Sequence, residues 1–150
     1  LALFVPEPGT IECRHVEQNV SFNRTRTVWE LVDAVADRKV GLALDRSQHL
    51  LDQGEQPLQL LALVTRHFRQ LMLGRSAVAE GVSRPEVLQR AGVPAFREST
   101  FMRQLDYYGP HELTAALQRL AKADLMLKSS KMPSPIVFTA ALIDICAPKG

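Results

Sequence analysis

A chain of 150 residues, with 18 Lys and Arg against 16 Asp and Glu and a formal charge of +2, has the size of one ordinary domain plus at most a fragment of a neighbour. A domain of that size buries roughly 68–70% of its unfolded surface, so its core needs neither metal nor disulfide. The charge is too small to mark a nucleic-acid binder, and no apolar run approaches the ~20 residues needed to span a bilayer.

Pro6-Glu7-Pro8-Gly9 is a turn, and Thr10 suits the N-cap of a short helix around residues 12–20. Asn19 to Thr27 is polar without an apolar period and reads as a linker, which puts a boundary near residue 26. From Thr27 onward the pattern is helical almost throughout. Val28, Leu31, Val32 and Val35 sit at i, i+3, i+4 and i+7, one helix face, and Trp29 falls within that apolar pattern as a core residue. Leu42, Leu44, Leu50 and Leu51 continue in a second helix that stops at Gly54, a residue suited to the left-handed C′ position.

Pro57 can open a third helix, where Leu61, Val64, Phe68 and Leu71 form a stripe that Leu60 and Leu63 widen. A stripe that broad predicts a helix buried on more than one side. Ser83-Arg84-Pro85-Glu86 is a capping-box pattern before Val87 and Leu88, and Gly92-Val93-Pro94 ends that helix. A further helix is expected from Arg97 to Tyr107. Gly109-Pro110 then starts the longest one, lined by Leu113, Leu117, Leu120 and Leu127, until Pro133 and Pro135 break it. Ile136 to Cys146 make the last. The fold class is all-α, a bundle of about six to eight helices.

Charge is unevenly placed. Residues 27–59 carry three basic and six acidic side chains, whereas residues 60–105 carry seven arginines and three glutamates. An acidic end beside a basic middle favours docking between subunits or weak contact with a polyanion. The cysteines, Cys13 and Cys146, have no paired spacing and fit free thiols in a reducing, cytoplasmic compartment. The start at Leu1 rather than Met reads as a domain excised from a longer protein, and Leu1 to Val5 makes a poor signal peptide.

Site chemistry is sparse. There is no Gly-rich loop ending in Lys to cradle a phosphate, and no pair of histidines spaced i, i+4 around a carboxylate. Cys13 near His15 is too weak a spacing to argue a catalytic pair, and no metal or cofactor is expected. Arg66 and Arg69 lie three apart on one helix and could fork onto a carboxylate or phosphate of a partner, although a solvated surface with local ion pairs is the favoured account from these residues alone. Asp124 and Lys128 form an i, i+4 pair that supports a helix by about 0.2–0.5 kcal/mol. The basic loop from Lys128 to Pro135 suits a phosphate backbone or a plain connection between helices. Tyr107-Tyr108 could stack a base but more simply plug a helix junction.

Four short stretches carry a resemblance: Val28-Trp29-Glu30-Leu31-Val32-Asp33-Ala34-Val35, Leu50-Leu51-Asp52-Gln53-Gly54-Glu55-Gln56-Pro57, Arg66-His67-Phe68-Arg69-Gln70-Leu71 and Asp124-Leu125-Met126-Leu127-Lys128-Ser129. In that order and spacing they resemble the delta subunit of the bacterial DNA polymerase III clamp loader, in its carboxy-terminal collar domain. The similarity runs over about residues 9–147. It implies that residues 1–26 are the end of a preceding lid-like module and that residues 27–150 are a clamp-loader collar-like bundle.

The resemblance also implies a non-catalytic role. The collar would hold delta in a ring with the ATPase (gamma/tau) and delta-prime subunits, so that the sliding clamp is loaded on primed DNA during replication at the nucleoid. Delta of this family resembles an AAA+ protein that does not hydrolyse ATP, which agrees with the missing phosphate loop, and it reaches the clamp only through an amino-terminal domain absent from this sequence. Trp29 stands where the family usually has Phe. Asp33 and Gly54 are then structural, while Arg66, Arg69, Asp124 and Lys128 are candidate subunit contacts. Lys128 and Lys131 are candidate contacts to primer–template DNA. A helical DNA-binding or protein-interaction regulator is the alternative, for which residues 97–107 offer only Arg97, Arg103 and Gln104 as a recognition surface.

Overall fold

The structure, a computed structural model, describes residues 23–129 and 131–147. The helix expected around residues 12–20, Cys13, His15 and Ser130 lie outside the described residues. Among the described residues there are seven α-helices and no strand: α1 (23–36), α2 (Val40–Asp52), α3 (Pro57–Ala79), α4 (Arg84–Ala91), α5 (Glu98–Leu105), α6 (Pro110–Ser129) and α7 (Ser134–Cys146), with a 3-10 turn at Ala95–Arg97 before α5. The all-α bundle expected from periodicity is the observed fold.

Chain chemistry sets most of the helix ends. Gly54, at φ 92°, occupies the left-handed C′ position of α2, where Glu55 N–H donates to Leu50 O (3.0 Å) and Gly54 N–H to Leu51 O (3.0 Å). The same pair of bonds closes α1 through Lys39 N–H to Ala34 O (2.9 Å) and Arg38 N–H to Val35 O (3.1 Å), with Arg38 at φ 60° where glycine is usual. At α4 the Ser83 Oγ accepts the Glu86 amide at 3.4 Å, the forward half of the expected box; the Glu86 carboxylate accepts from Arg90 (2.6 Å) instead of returning to Ser83. Pro57, Pro85 and Pro135 each sit in a first helical turn, where the missing N–H has no intrahelical partner to lose.

Helix α3 is the spine. It buries Leu60, Leu61, Val64, His67, Phe68, Leu71, Gly74 and Ala77 and packs against α4, α5, α6 and α7. Phe68, Phe101 and Phe138 are fully buried, and the Tyr108 ring meets Phe68 edge-on at 5.6 Å. Tyr108 also donates its hydroxyl to Ala36 O (2.8 Å), tying the α5–α6 junction to the end of α1. It plugs the junction, as expected; its neighbour Tyr107 is exposed.

Five sequence expectations need correction. Among the described residues the longest helix is α3, with 23 residues against 20 in α6, because nothing in it breaks the ladder between Pro57 and the turn at Gly81. Residues 23–27 belong to α1 rather than to a linker, and the hydroxyl of buried Thr27 donates to Asn23 O, four residues back, at 2.8 Å. The helix expected from Arg97 begins as a 3-10 turn and ends at Leu105. Leu63 does not join the α3 core but stays 39% exposed. Trp29 is also 39% exposed; its ring is covered on one face by the Arg97 guanidinium, 4.3 Å from the centroid, rather than by core side chains.

Candidate subunit interface

Helix α7 is apolar nearly all round, with Ser134, Thr139 and Asp144 its only polar residues. A helix of that composition is normally buried on every side. Here Val137, Phe138, Leu142, Ile145 and Cys146 face the core, while Ile136, Ala140 and Ile143 at i, i+4 and i+7 lie exposed, the two isoleucines by 51% and 47%. Exposed Met126 of α6 and Met132 of the connecting loop extend the patch around a shallow cavity of about 200 Å³. Arg119 and Lys122 border it, and Arg119 lies 3.6 Å from Asp144. An apolar strip with a charged rim is the composition of a protein–protein contact.

A second concavity runs between α3 and α6. Arg69 and Asp124 line it together, and Asp124 accepts from Lys128 at 2.9 Å. Two of the four candidate contact residues therefore share one groove, and Lys128 is tied to it through Asp124. Arg66 does not: it lies beside an apolar slot formed by α1, α3 and the α4–α5 link. Arg66 and Arg69 are both exposed and, among the described residues, neither has a carboxylate within ion-pair distance. Lys131 is exposed in the loop before α7.

Below that slot lies a polar cluster that joins α1 to α3 and α5. Arg97 donates to both oxygens of Asp33, at 2.8 and 2.6 Å, and Gln104 Nε2 donates to Asp33 Oδ1 at 3.1 Å. The ionised carboxylate can only accept, so the Gln104 amide nitrogen must face it and the Gln104 oxygen faces His67. His67 Nε2, 2.7 Å from that oxygen, then carries the proton. Burial by itself raises the Asp33 pKa, but the hydrogen bonds from Arg97 and Gln104 outweigh it and hold the carboxyl below its ordinary range. Burial drives His67 the other way, below its ordinary value, so the ring is neutral.

Among the described residues no three His, Cys, Asp or Glu side chains come together to hold a metal ion. The buried Cys146 thiol is pushed up to about 11 by desolvation, which keeps it protonated and unreactive at neutral pH. No described helix is long and apolar enough to cross a membrane.

The family model described as "DNA polymerase III delta subunit, C-terminal domain" matches residues 25–145. The chain belongs to this family. It is 23% identical over 145 residues to the DNA polymerase III subunit delta of Bacillus subtilis, covering 97% of this chain and 42% of that protein. It thus spans about two-fifths of the curated relative it matches. The solved Bacillus subtilis DNA clamp loader delta protein superposes with a TM-score of 0.70 at 23% identity, over 82% of this chain and 36% of that one. The all-helical arrangement is therefore that of a solved delta protein.

Within this delta C-terminal domain, sequence reasoning placed Asp33 and Gly54 as structural. Asp33 anchors the polar cluster and Gly54 ends α2, so both residues hold the fold together. The α7 face escaped it. The signal was present in Ile136-Val137-Phe138-Thr139-Ala140-Ala141-Leu142-Ile143, a run too apolar for a helix with only one buried side. The clustering of His67 and Gln104 with Asp33 escaped it too, since no local pattern announces that contact.

Proposed function

We propose that this delta C-terminal domain is a non-catalytic collar, which joins the clamp-loader ATPase (gamma/tau) and delta-prime subunits in a ring and so tethers the clamp-binding part of delta to the motor. The observation that carries the reading is the exposed Ile136–Ala140–Ile143 stripe on a helix apolar all round. A surface of that kind is stable in water once a neighbour covers it. Arg69 and Asp124 in the α3–α6 groove, with Lys128 paired to Asp124, supply polar contacts to a neighbouring subunit, and Arg66 supplies one on the other side of α3. The residues before α1 close a preceding lid-like module, so the boundary falls ahead of Asn23 rather than near residue 26, and the protein works in the cytoplasm. Primer–template DNA passes near the loop before α7, where Lys131 and Lys128 meet its phosphates.

The helical DNA-binding regulator is the less supported reading. Two of its three candidate recognition residues, Arg97 and Gln104, are engaged with Asp33 inside the fold, and the exposed Arg103 is paired with Asp37 at 3.1 Å.

Native mass spectrometry of this chain with the collar domains of its own ATPase and delta-prime subunits tests the proposal. A defined hetero-assembly that Ile136→Glu and Ile143→Asp disrupt, with the helical content of the chain retained, is the expected result. A chain that stays alone at micromolar concentration, or an assembly indifferent to both substitutions, would falsify it.

A further inference from the structure

The slot between α1, α3 and the α4–α5 link is separate from the α6–α7 patch and shares none of its residues. Val28 and Trp29 of α1, Leu63 of α3, and Val93 and Pro94 of the link give it an almost wholly apolar wall. Its volume is about 250 Å³. That is below the roughly 300–1,000 Å³ of dedicated small-molecule sites, and matches one large side chain rather than a free ligand.

The charge around the slot is one-sided. No carboxylate lines it, and its two charged groups are Arg66 and Arg97. Arg97 is neutralised by Asp33 and stacked on Trp29. Arg66 is exposed and has no ion-pair partner among the described residues. One uncompensated guanidinium therefore stands beside an apolar hole, and guanidinium forks suit carboxylates.

The walls are also held in place before anything binds. Gln70 Nε2 donates to Gly92 O at 3.2 Å, fixing the link to α3, and the Arg97 stack fixes the indole of Trp29. A preformed wall lowers the ordering cost of binding. We infer that this slot is an acceptor for a partner protein segment that inserts one bulky apolar side chain and sets an adjacent carboxylate on Arg66. It rests on the collar reading only in giving the Arg66 contact proposed above a defined occupant, and because its test needs no ring partner the two can fail separately.

Trp29 is the single tryptophan of the chain, so its emission reports on the slot directly. The probe is a blocked pentapeptide of sequence Gly-Asp-Phe-Glu-Gly, titrated into the 150-residue chain. A saturable change in emission is expected. Replacing the phenylalanine of the peptide by alanine, or its acids by lysine, should weaken binding by about tenfold, the loss expected when one anchor of a pocket is removed. Leu63→Asp and Arg66→Glu, both at exposed positions, should each do the same. The inference is overturned by an absent or non-saturable response, by peptide variants that bind equally well, or by retention of affinity in both protein variants. It is also overturned if diluting the chain alone reproduces the emission change, since the occupant would then be a second copy. The two peptide arms give this answer even if a protein variant fails to fold.

Discussion

Arg97 and Asp33 stand 64 residues apart in sequence and meet across two hydrogen bonds of 2.8 and 2.6 Å. The pair joins the entry of α5 to the middle of α1, and the Arg97 side chain keeps only 11% of its surface exposed. Trp29 lies over the same guanidinium, so one arginine neutralises a carboxylate and covers an indole.

Asp33→Asn is isosteric, yet it leaves a mostly buried guanidinium without its counter-charge. Breaking a fully buried pair from one side costs about 3–5 kcal/mol, and partial exposure here lowers the expectation to about 2–3 kcal/mol. Urea unfolding of the chain measures this loss. Combining Asp33→Asn with Arg97→Gln should cost clearly less than the sum of the two single changes, because the two residues share one interaction. Additive costs would refute the coupling.

Stability should fall on acidification in two stages. Burial lowers the His67 pKa from its ordinary 6.5, with the charge of Arg97 adding to it against the Gln104 and Gln70 hydrogen bonds and the charge of Asp33. For Asp33, burial is outweighed by Arg97 and Gln104, leaving its pKa below the ordinary 3.8. Both groups bind protons more readily in the unfolded chain than in the folded one, so stability is greatest above pH ~6.5. It then declines through the His67 window below pH ~6.5, and again below pH ~4 as Asp33 takes up its proton. Thermal melts from pH 8 to pH 3 check the sequence of events. His67→Gln should abolish the first decline and keep the second; an unchanged profile in that variant would rule His67 out.

Two glycines inside helices should respond to alanine with opposite signs. A Cβ on Gly74 would lie 2.8 and 2.9 Å from the fully buried Phe101 ring and 3.3 Å from Leu105. Gly74→Ala is expected to destabilise by about 1–3 kcal/mol, because the overpacking exceeds the ~1 kcal/mol gain in helix propensity. A Cβ on Gly41, near the start of α2, meets nothing within 4 Å. Gly41→Ala should stabilise by roughly 0.5 kcal/mol. Chemical denaturation of both variants reads the contrast, and a shared sign would contradict the packing described.

Cys146 should resist thiol reagents while the chain is folded. Desolvation pushes its pKa up to about 11, and its Sγ lies 4.0 Å from Val35 O within the core. In a Cys13→Ser background, labelling by a disulfide reagent at pH 8 is expected to follow global unfolding and accelerate with urea. Rapid labelling in buffer would place the end of α7 outside the core.

Periodicity made the bundle legible before any coordinates. Stripes such as Leu61–Val64–Phe68–Leu71, and stops such as Gly54 and Gly92, involve neighbours within one or two turns, so the local sequence determines them. The short motifs around Val28, Leu50, Arg66 and Asp124 were equally legible and pointed to the family that the chain belongs to. Trp29 and Leu63 were misjudged because an apolar residue next to a core stripe faces the core or an open slot according to where the next helix lies.

By itself, then, the sequence determined the helices, most of their ends and the family. Helix formation depends on contacts three and four residues apart, and these are written along the chain. The tertiary structure decided which apolar face of α7 was left over, that Arg69 and Asp124 share a groove from which Arg66 is absent, and that Asp33 meets Arg97, Gln104 and, through it, His67. Those outcomes depend on how whole helices pack, and packing brings together residues whose separation along the chain carries no signal.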